Sequence, residues 1–207
     1  MRTRTGTFVL IALLAIALVW YFQSGDPQGA RPTSGSAVIA FGDSLVTGHG
    51  TRPGHDFVSL LSRRLGVPIV NAGRGGDTTE SALRRVEIDV LARDPQVVIV
   101  LLGGNDILRR VPTEATFTNL AAIVERIRQR GAAVVLVGLS TGFLIDPYGP
   151  EYARLAERTT SAYVPDILGG ILRNEARMAD AIHPNDEGHA IMADRIEPVL
   201  RQLVEAK

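Results

Sequence analysis

The chain of 207 residues carries 22 Lys and Arg against 22 Asp and Glu, with four His, no Cys and 45% hydrophobic residues. Its balanced charge argues against a protein that binds nucleic acid through a basic surface. The lack of Cys excludes disulfides, thiolate metal ligands, a cysteine nucleophile and a lipid-modified cysteine. The length suits one domain with a short appendage.

The first element is an apolar segment. Residues 5–25 carry no charge and include a continuous apolar run over 8–22, preceded by Arg2 and Arg4. As a helix this segment would be about 30 Å long, which matches the hydrocarbon thickness of a bilayer. The two arginines orient it with its start in the cytoplasm. We expect residues 1–22 to form a transmembrane signal anchor that holds the rest outside the cytoplasm, in the periplasm.

Two other interpretations of this segment stay open. A cleaved signal peptide shares the charge pattern but needs small residues at its cleavage site, and only the weak candidate 28–30 is present. Cleavage would make the protein secreted. The third interpretation is a buried core helix. Residues 23–36 are rich in Gly, Pro, Ser and Thr, which predicts a flexible linker and a folded domain over 37–207.

The domain alternates strand-like and helix-like segments. Continuous apolar runs indicate strands that are buried on both faces, as in a parallel sheet, and apolar stripes at helical spacing separate them. This alternation predicts an α/β protein, a three-layer α/β/α sandwich around a parallel sheet of about five strands. The predicted strands are 37–41, 68–71, 97–102, 132–138 and, more weakly, 163–168; the helical stripes cover 57–65, 83–91, 120–127 and 187–204.

Four polar segments follow the predicted strands or precede the last helix. They are residues 42–45, 72–78, 103–106 and 180–185. Because ligands of such sheets bind beyond the carboxyl ends of the strands, we expect one site to collect these segments.

The side chains in these segments suit serine hydrolysis. Ser44 can act as the nucleophile, His183 as its base, and Asp180 as the group that orients the imidazole. The backbone N–H groups of Ser44 and Gly76 and the amide of Asn105 can stabilise an oxyanion. Each segment alone also fits a turn, a helix cap or a surface loop. All four together, in order, favour the catalytic interpretation.

The set of motifs resembles the SGNH, or GDSL, hydrolase family. Its blocks are matched by Phe41-Gly42-Asp43-Ser44-Leu45, Asn71-Ala72-Gly73-Arg74-Gly75-Gly76, Gly103-Gly104-Asn105-Asp106 and Asp180-Ala181-Ile182-His183-Pro184, so that the resemblance spans 37–207. It implies a flavodoxin-like fold, a catalytic set of Ser44, Asp180 and His183, and an oxyanion hole completed by Gly76 and Asn105.

The chain is most similar to the bacterial periplasmic thioesterase, lysophospholipase and arylesterase branch. That resemblance implies cleavage of small acyl esters or thioesters, including lipids, through an acyl-enzyme on Ser44 without a metal or cofactor. The loop over 139–148 departs from the branch pattern. Its Phe143, Leu144 and Ile145 fit either an apolar lip that binds the acyl chain or a partly buried loop.

Two other functions remain open on the sequence. One is an O-deacetylase of cell-wall or extracellular polysaccharide, although aromatic residues for sugar stacking are few. The other is a catalytically silent binding domain. A dinucleotide loop is rejected because Thr78 stands where the third glycine would be required.

The remaining charged candidates near these motifs are given structural roles. We expect Asp43 and Asp106 to accept hydrogen bonds from backbone amides. His49 and His55 fit exposed loop positions or the lining of the pocket. His189 has only a carboxylate neighbour in sequence, which does not indicate a metal ligand.

Overall fold

The computed structural model describes residues 31–140 and 146–205. In these two stretches, five strands alternate with seven α-helices. The strands are β1 (Ala37–Gly42), β2 (Ile69–Gly73), β3 (Pro95–Leu101), β4 (Ala133–Val137) and β5 (Ala162–Val164). The helices are α1 (Ser44–Thr47), α2 (Phe57–Leu65), α3 (Thr79–Asp89), α4 (Gly104–Leu108), α5 (Thr113–Gln129), α6 (Gly149–Arg158) and α7 (Asp186–Val204).

The strands form one parallel sheet in the order β2-β1-β3-β4-β5. The prediction of a five-stranded parallel sheet is confirmed. The fifth strand is shorter than expected: it ends at Val164, whereas the apolar run predicted 163–168. Pro165 follows directly and has no backbone N–H to donate to a neighbouring strand, which explains the early end.

Helices cover both faces of the sheet. Consecutive residues Ile39, Ala40 and Phe41 of β1 are all fully buried, although their side chains point to alternate faces. Helix α2 packs against α7, while α3 and α6 pack against α5. The predicted three-layer α/β/α sandwich is therefore the observed architecture.

Helix α6 was not predicted. It starts at Gly149-Pro150, and Pro in the first turn suits a helix start because its missing N–H has no helical partner to lose. Tyr152 of this helix is fully buried and donates its hydroxyl to the carbonyl oxygen of Leu102 at 2.5 Å. Helix α6 therefore contacts and stabilises the segment that follows β3.

The last residues of the predicted linker attach to the domain at the amino ends of the strands. The N–H of Thr33 donates to Gly131 at 2.8 Å, and the N–H of Ser36 donates to Asp94 at 3.0 Å. The predicted anchor over 1–22 and the linker before Arg31 lie outside the described residues. Of the helices in the described stretches, none combines the length and apolar character needed to cross a bilayer.

Candidate active site

The predicted site residues meet at the carboxyl ends of the central strands. Ser44 follows β1, Gly76 follows β2 and Asn105 follows β3. Because β2 and β3 flank β1 on opposite sides, the chain changes direction at β1. Such switch points open a crevice beyond the strand ends, where ligands of parallel sheets bind.

Ser44, His183 and Asp180 form a hydrogen-bonded chain. Nε2 of His183 lies 3.0 Å from Oγ of Ser44, and its Nδ1 lies 2.8 Å from Oδ2 of Asp180. An ionised carboxylate can only accept, so Nδ1 carries the proton, and Nε2 of the neutral ring accepts from the serine hydroxyl. This tautomer suits a base that removes the Ser44 proton.

Local backbone contacts hold the Asp180 carboxylate. Its Oδ1 accepts the N–H of Ile182 at 2.9 Å and the N–H of His183 at 2.8 Å. The bond from Ile182, followed by the ring and backbone bonds from His183, lowers the pKa of Asp180 to about 2. The carboxylate is therefore ionised at neutral pH and fixes the orientation of the imidazole.

The three groups predicted to form an oxyanion hole follow the carboxyl ends of β1, β2 and β3. Ser44 is the first residue of α1, so its N–H has no acceptor within that helix. Gly76 has a φ of +80°, in the left-handed region that favours glycine. The amide of Asn105 donates to the carbonyl oxygen of Asp77 at 3.0 Å and to Oδ2 of Asp43 at 3.2 Å.

The contacts of Asn105 matter because its amide has only two hydrogens. Both point to acceptors within the protein, so a third acceptor must displace one of them. The contact with Asp43 is the longer of the two.

Asp43 is a buried carboxyl group inside the site. It is 2% exposed, and its Oδ1 accepts the N–H of Leu45 at 3.0 Å. Burial raises the pKa of Asp43 to about 6, against the lowering effect of that hydrogen bond and of the nearby His183. The expectation that Asp43 binds a backbone amide is confirmed, and its contact with Asn105 is an addition.

Asp106 is also buried and holds the loop after β2. Its carboxylate accepts the N–H of Thr79 at 2.9 Å and the Thr79 hydroxyl at 2.6 Å. The predicted bond to a backbone amide is confirmed. Because Asp106 follows Asn105 and Thr79 begins α3, this contact ties the loop after β3 to the loop that carries Gly76.

A buried arginine joins the ends of β1 and β2. Arg85 of α3 is 7% exposed and donates to Oδ2 of Asp77 at 2.5 Å. It also donates to the carbonyl oxygens of Gly42 and Ala72, each at 2.9 Å. Its guanidinium carbon lies 4.3 Å from the centre of the Phe41 ring. The cation is fully paired, as a buried charge requires.

The apolar lip predicted at Phe143, Leu144 and Ile145 lies outside the described residues. Among those described, two large apolar side chains are exposed next to site residues in sequence. Ile182, which precedes His183, is 42% exposed, and Leu108, at the end of the helix that contains Asn105, is 57% exposed. Sequence reasoning missed both, although their position beside the motifs was the signal.

The three remaining histidines have distinct surroundings. His49 is exposed, as expected, yet its ring centre lies 4.2 Å from that of His183. His55 is half-buried, with Nδ1 3.4 Å from Oδ2 of Asp186. His189 is fully buried and its Nδ1 accepts the N–H of Phe57 at 3.2 Å. Burial lowers the pKa of His189 to about 4, so the ring is neutral at pH 7.

Comparison with known proteins supports one family. The model of the GDSL-like lipase/acylhydrolase family matches residues 40–191. Esterase TesA of Pseudomonas aeruginosa is 30% identical over 188 residues, covering 84% of this chain and 92% of that protein. Thioesterase 1/protease 1/lysophospholipase L1 of Escherichia coli K12 is 26% identical, covering 84% and 88%. A crystal structure of TesA superposes with a TM-score of 0.75 at 29% identity, covering 81% of this chain and 99% of that one.

Proposed function

Since the chain belongs to the GDSL-like lipase/acylhydrolase family and is a serine hydrolase, we propose that it cleaves acyl esters and thioesters through an acyl-enzyme on Ser44. The observation that carries this proposal is the continuous hydrogen-bonded chain from Ser44 through His183 to Asp180. Nucleophile, base and orienting carboxylate stand in the arrangement that acyl transfer requires.

The first half-reaction forms the acyl-enzyme. Oγ of Ser44 attacks the carbonyl carbon while Nε2 of His183 takes the hydroxyl proton. The charge that develops on the carbonyl oxygen faces the N–H groups of Ser44 and Gly76 and the amide of Asn105. When the tetrahedral intermediate collapses, His183 gives its proton to the departing alkoxide or thiolate.

The second half-reaction uses the same groups with water. His183 takes a proton from a water molecule that attacks the acyl carbon, and returns it to Oγ of Ser44 as the acid leaves. The Asp180 carboxylate stabilises the imidazolium that forms in both steps. Its low pKa keeps it ionised over the pH range in which the imidazole can act as a base.

For the substrate, we propose an acyl group with an apolar chain. Ile182 and Leu108 are the exposed apolar side chains that flank the site motifs, and burying them against a chain would be favourable. The relatives named above include an esterase and a thioesterase/lysophospholipase, which agrees with either leaving group. A polysaccharide O-acetyl ester is the alternative to be compared.

The test of the mechanism uses the full chain and a fluorophosphonate probe. Wild type should be labelled at Ser44, and Ser44→Ala should lose labelling and about 10⁶-fold in kcat for p-nitrophenyl esters. Ser34→Ala serves as the matched control because Ser34 is exposed and donates to Arg130 at the amino ends of the strands. Hydrolysis at the wild-type rate by a folded Ser44→Ala protein would refute the proposal.

The test of the substrate compares acyl chains of two to sixteen carbons as p-nitrophenyl esters and as coenzyme A thioesters, with acetylated xylan and O-acetylated peptidoglycan in parallel. An apolar acyl site predicts that kcat/KM rises with chain length. A preference for acetyl groups on polysaccharide would replace the acyl-chain proposal and leave the serine mechanism intact.

We also propose that residues 1–22 hold the domain at the outer side of the cytoplasmic membrane. The support is the uncharged run over 5–25 behind Arg2 and Arg4. Membrane fractionation of cells that express the full chain, followed by protease treatment of spheroplasts, tests it. Retention in the membrane with a protease-accessible domain is expected. A secreted, shortened protein would indicate cleavage, and a protected domain would refute the orientation.

A further inference from the structure

The loop after α1 places a second imidazole against the proposed catalytic base. Gly50, with a φ of +93°, packs so closely on the loop before α7 that a Cβ there would lie 2.7 Å from the carbonyl oxygen of Pro184. This contact brings His49 beside His183, with ring centres 4.2 Å apart. Nε2 of His49 lies 4.0 Å from Oδ2 of Asp180. His49 takes no part in the proposed acyl transfer.

We propose that His49, Asp180 and His183 bind a divalent metal ion such as Zn²⁺, and that the bound ion inhibits the hydrolase. Each side chain offers one donor atom, and the three atoms lie within 4.8 Å of one another. The inhibitory part of the proposal rests on the proposed serine mechanism, while the metal site itself does not.

The spacing of the donors fits an ion once the His49 side chain moves toward Asp180 and His183. Bonds from such an ion to nitrogen or oxygen are about 2.1 Å long, so two tetrahedral ligands lie about 3.4 Å apart. The separations from Oδ2 of Asp180, 2.8 Å to Nδ1 of His183 and 4.0 Å to Nε2 of His49, bracket that value. The His49 side chain is 61% exposed, so an ion can enter from solvent and the ring can rotate toward it.

The donor set selects the class of metal. Two imidazole nitrogens and one carboxylate oxygen favour Zn²⁺, Cu²⁺, Ni²⁺ or Co²⁺ over Mg²⁺ and Ca²⁺, which prefer oxygen ligands alone. Three protein ligands leave positions for water. The carboxylate of Asp180 is ionised at neutral pH and supplies a negative charge for the ion.

Binding at Nδ1 of His183 explains the loss of activity. The metal takes the lone pair of Nδ1, so the proton of the neutral ring must move to Nε2. Nε2 would then donate to Oγ of Ser44 and could no longer accept its proton. No net proton is gained or lost, and Asp180 exchanges the ring hydrogen bond for the metal. The ion therefore locks the wrong tautomer without blocking Ser44 itself.

The experiment compares wild type, His49→Gln and His55→Gln as full-length proteins. His55 is the matched control because it lies on the same loop but contacts Asp186 outside the cluster. ZnCl₂ is titrated into an ester assay, each variant being normalised to its own metal-free rate, and EDTA is then added. Isothermal titration calorimetry with ZnCl₂ measures binding independently of activity.

Reversible inhibition of wild type and of His55→Gln is expected, with one bound ion per chain. His49→Gln should need roughly 10- to 100-fold more zinc for half-inhibition and for half-saturation in calorimetry, since loss of a ligand costs at least as much as loss of a supporting contact. Equal zinc binding by wild type and His49→Gln, or no binding by wild type, would overturn the proposal. If wild type hydrolyses no ester, calorimetry alone decides the metal site.

Discussion

Replacing Asp43 by Asn tests the cost of a buried carboxylate inside the candidate site. Asp43 is 2% exposed and burial raises its pKa from 3.8 to about 6. A carboxyl group whose pKa is higher in the folded protein than in the unfolded chain stabilises the fold below pH 4. That contribution is lost as pH rises through 6, where the folded state must also ionise.

The magnitude follows from the two pKa values. A difference of about two units, at about 1.4 kcal/mol per unit, corresponds to about 3 kcal/mol between the fully protonated and fully ionised states. The amide in Asp43→Asn cannot ionise, so the variant avoids this loss. At pH 4 the carboxyl group of the unfolded wild-type chain is already partly ionised. Between pH 4 and pH 7, the free energy of unfolding of the variant should therefore gain about 2–3 kcal/mol relative to wild type.

The kcat of Asp43→Asn should fall. The two oxygens of Asp43 accept separately, one from the Leu45 N–H and the other from the Asn105 amide. An Asn side chain has only one oxygen, so Asn105 loses its separate acceptor. We expect kcat to fall by up to about 10²–10³-fold, the cost of losing an oxyanion donor outright. The stability of the variant relative to wild type would therefore rise toward neutral pH, whereas its activity would be lower.

The assay is urea unfolding followed by circular dichroism at pH 4, 5.5 and 7, with free energies extrapolated linearly to water. Asp194→Asn, which removes an exposed carboxyl group from α7, is the control for a change of surface charge. The test depends only on how the difference between variant and wild type changes with pH. A difference that is equal at pH 4 and pH 7, or that shrinks toward pH 7, would refute the reasoning.

Three further predictions concern single side chains. Asp180→Asn should lower kcat about 10⁴-fold in steady-state assays, because an amide facing Nδ1 of His183 favours the wrong tautomer; wild-type kcat would contradict the orienting role. Asn105→Ala should cost about 10²–10³-fold in kcat with little change in KM, and a change confined to KM would instead indicate ground-state binding. His189→Gln should make the fold less sensitive to acid. Because the pKa of His189 falls from 6.5 to about 4 on folding, wild type loses about 3 kcal/mol of unfolding free energy from pH 7 to pH 4 that the variant retains. A difference in unfolding free energy between variant and wild type that is the same at both pH values, measured by urea unfolding, would contradict this.

Much of the fold follows from local patterns in the sequence. The apolar runs over 97–102 and 132–138 predict β3 and β4 to within two residues, because a strand buried on both faces has no polar positions. Helix α6 was missed although Pro150 and the buried set at Tyr152, Leu155 and Ala156 mark it. Its polar residues outnumber that buried set, so the apolar stripe is narrow in the sequence.

The meeting of Ser44 with His183 was predictable for a different reason. The two residues are 139 positions apart; Ser44 follows the carboxyl end of β1, and the loop before α7 brings His183 to the same edge of the sheet, where ligands of parallel sheets bind. The approach of His49 to the same ring was not predictable. It depends on how two irregular loops pack, which no periodicity in either segment encodes.

The burial of His189 shows the same limit. Its sequence neighbours Gly188 and Glu187 are those of an ordinary first helical turn. Only the packing of α7 on α2 makes the ring an acceptor for the Phe57 N–H. Contacts between elements that are distant in sequence therefore decide the protonation of this side chain.

Thr33 and Ser36 attach to the domain at the end of the sheet that is opposite to Ser44. These residues lie at the starts of strands, beside Asp94 and Gly131, whereas Ser44 follows the far end of β1, about 20 Å along a six-residue strand. The segment that leads into β1 and the catalytic serine therefore lie at opposite ends of the sheet.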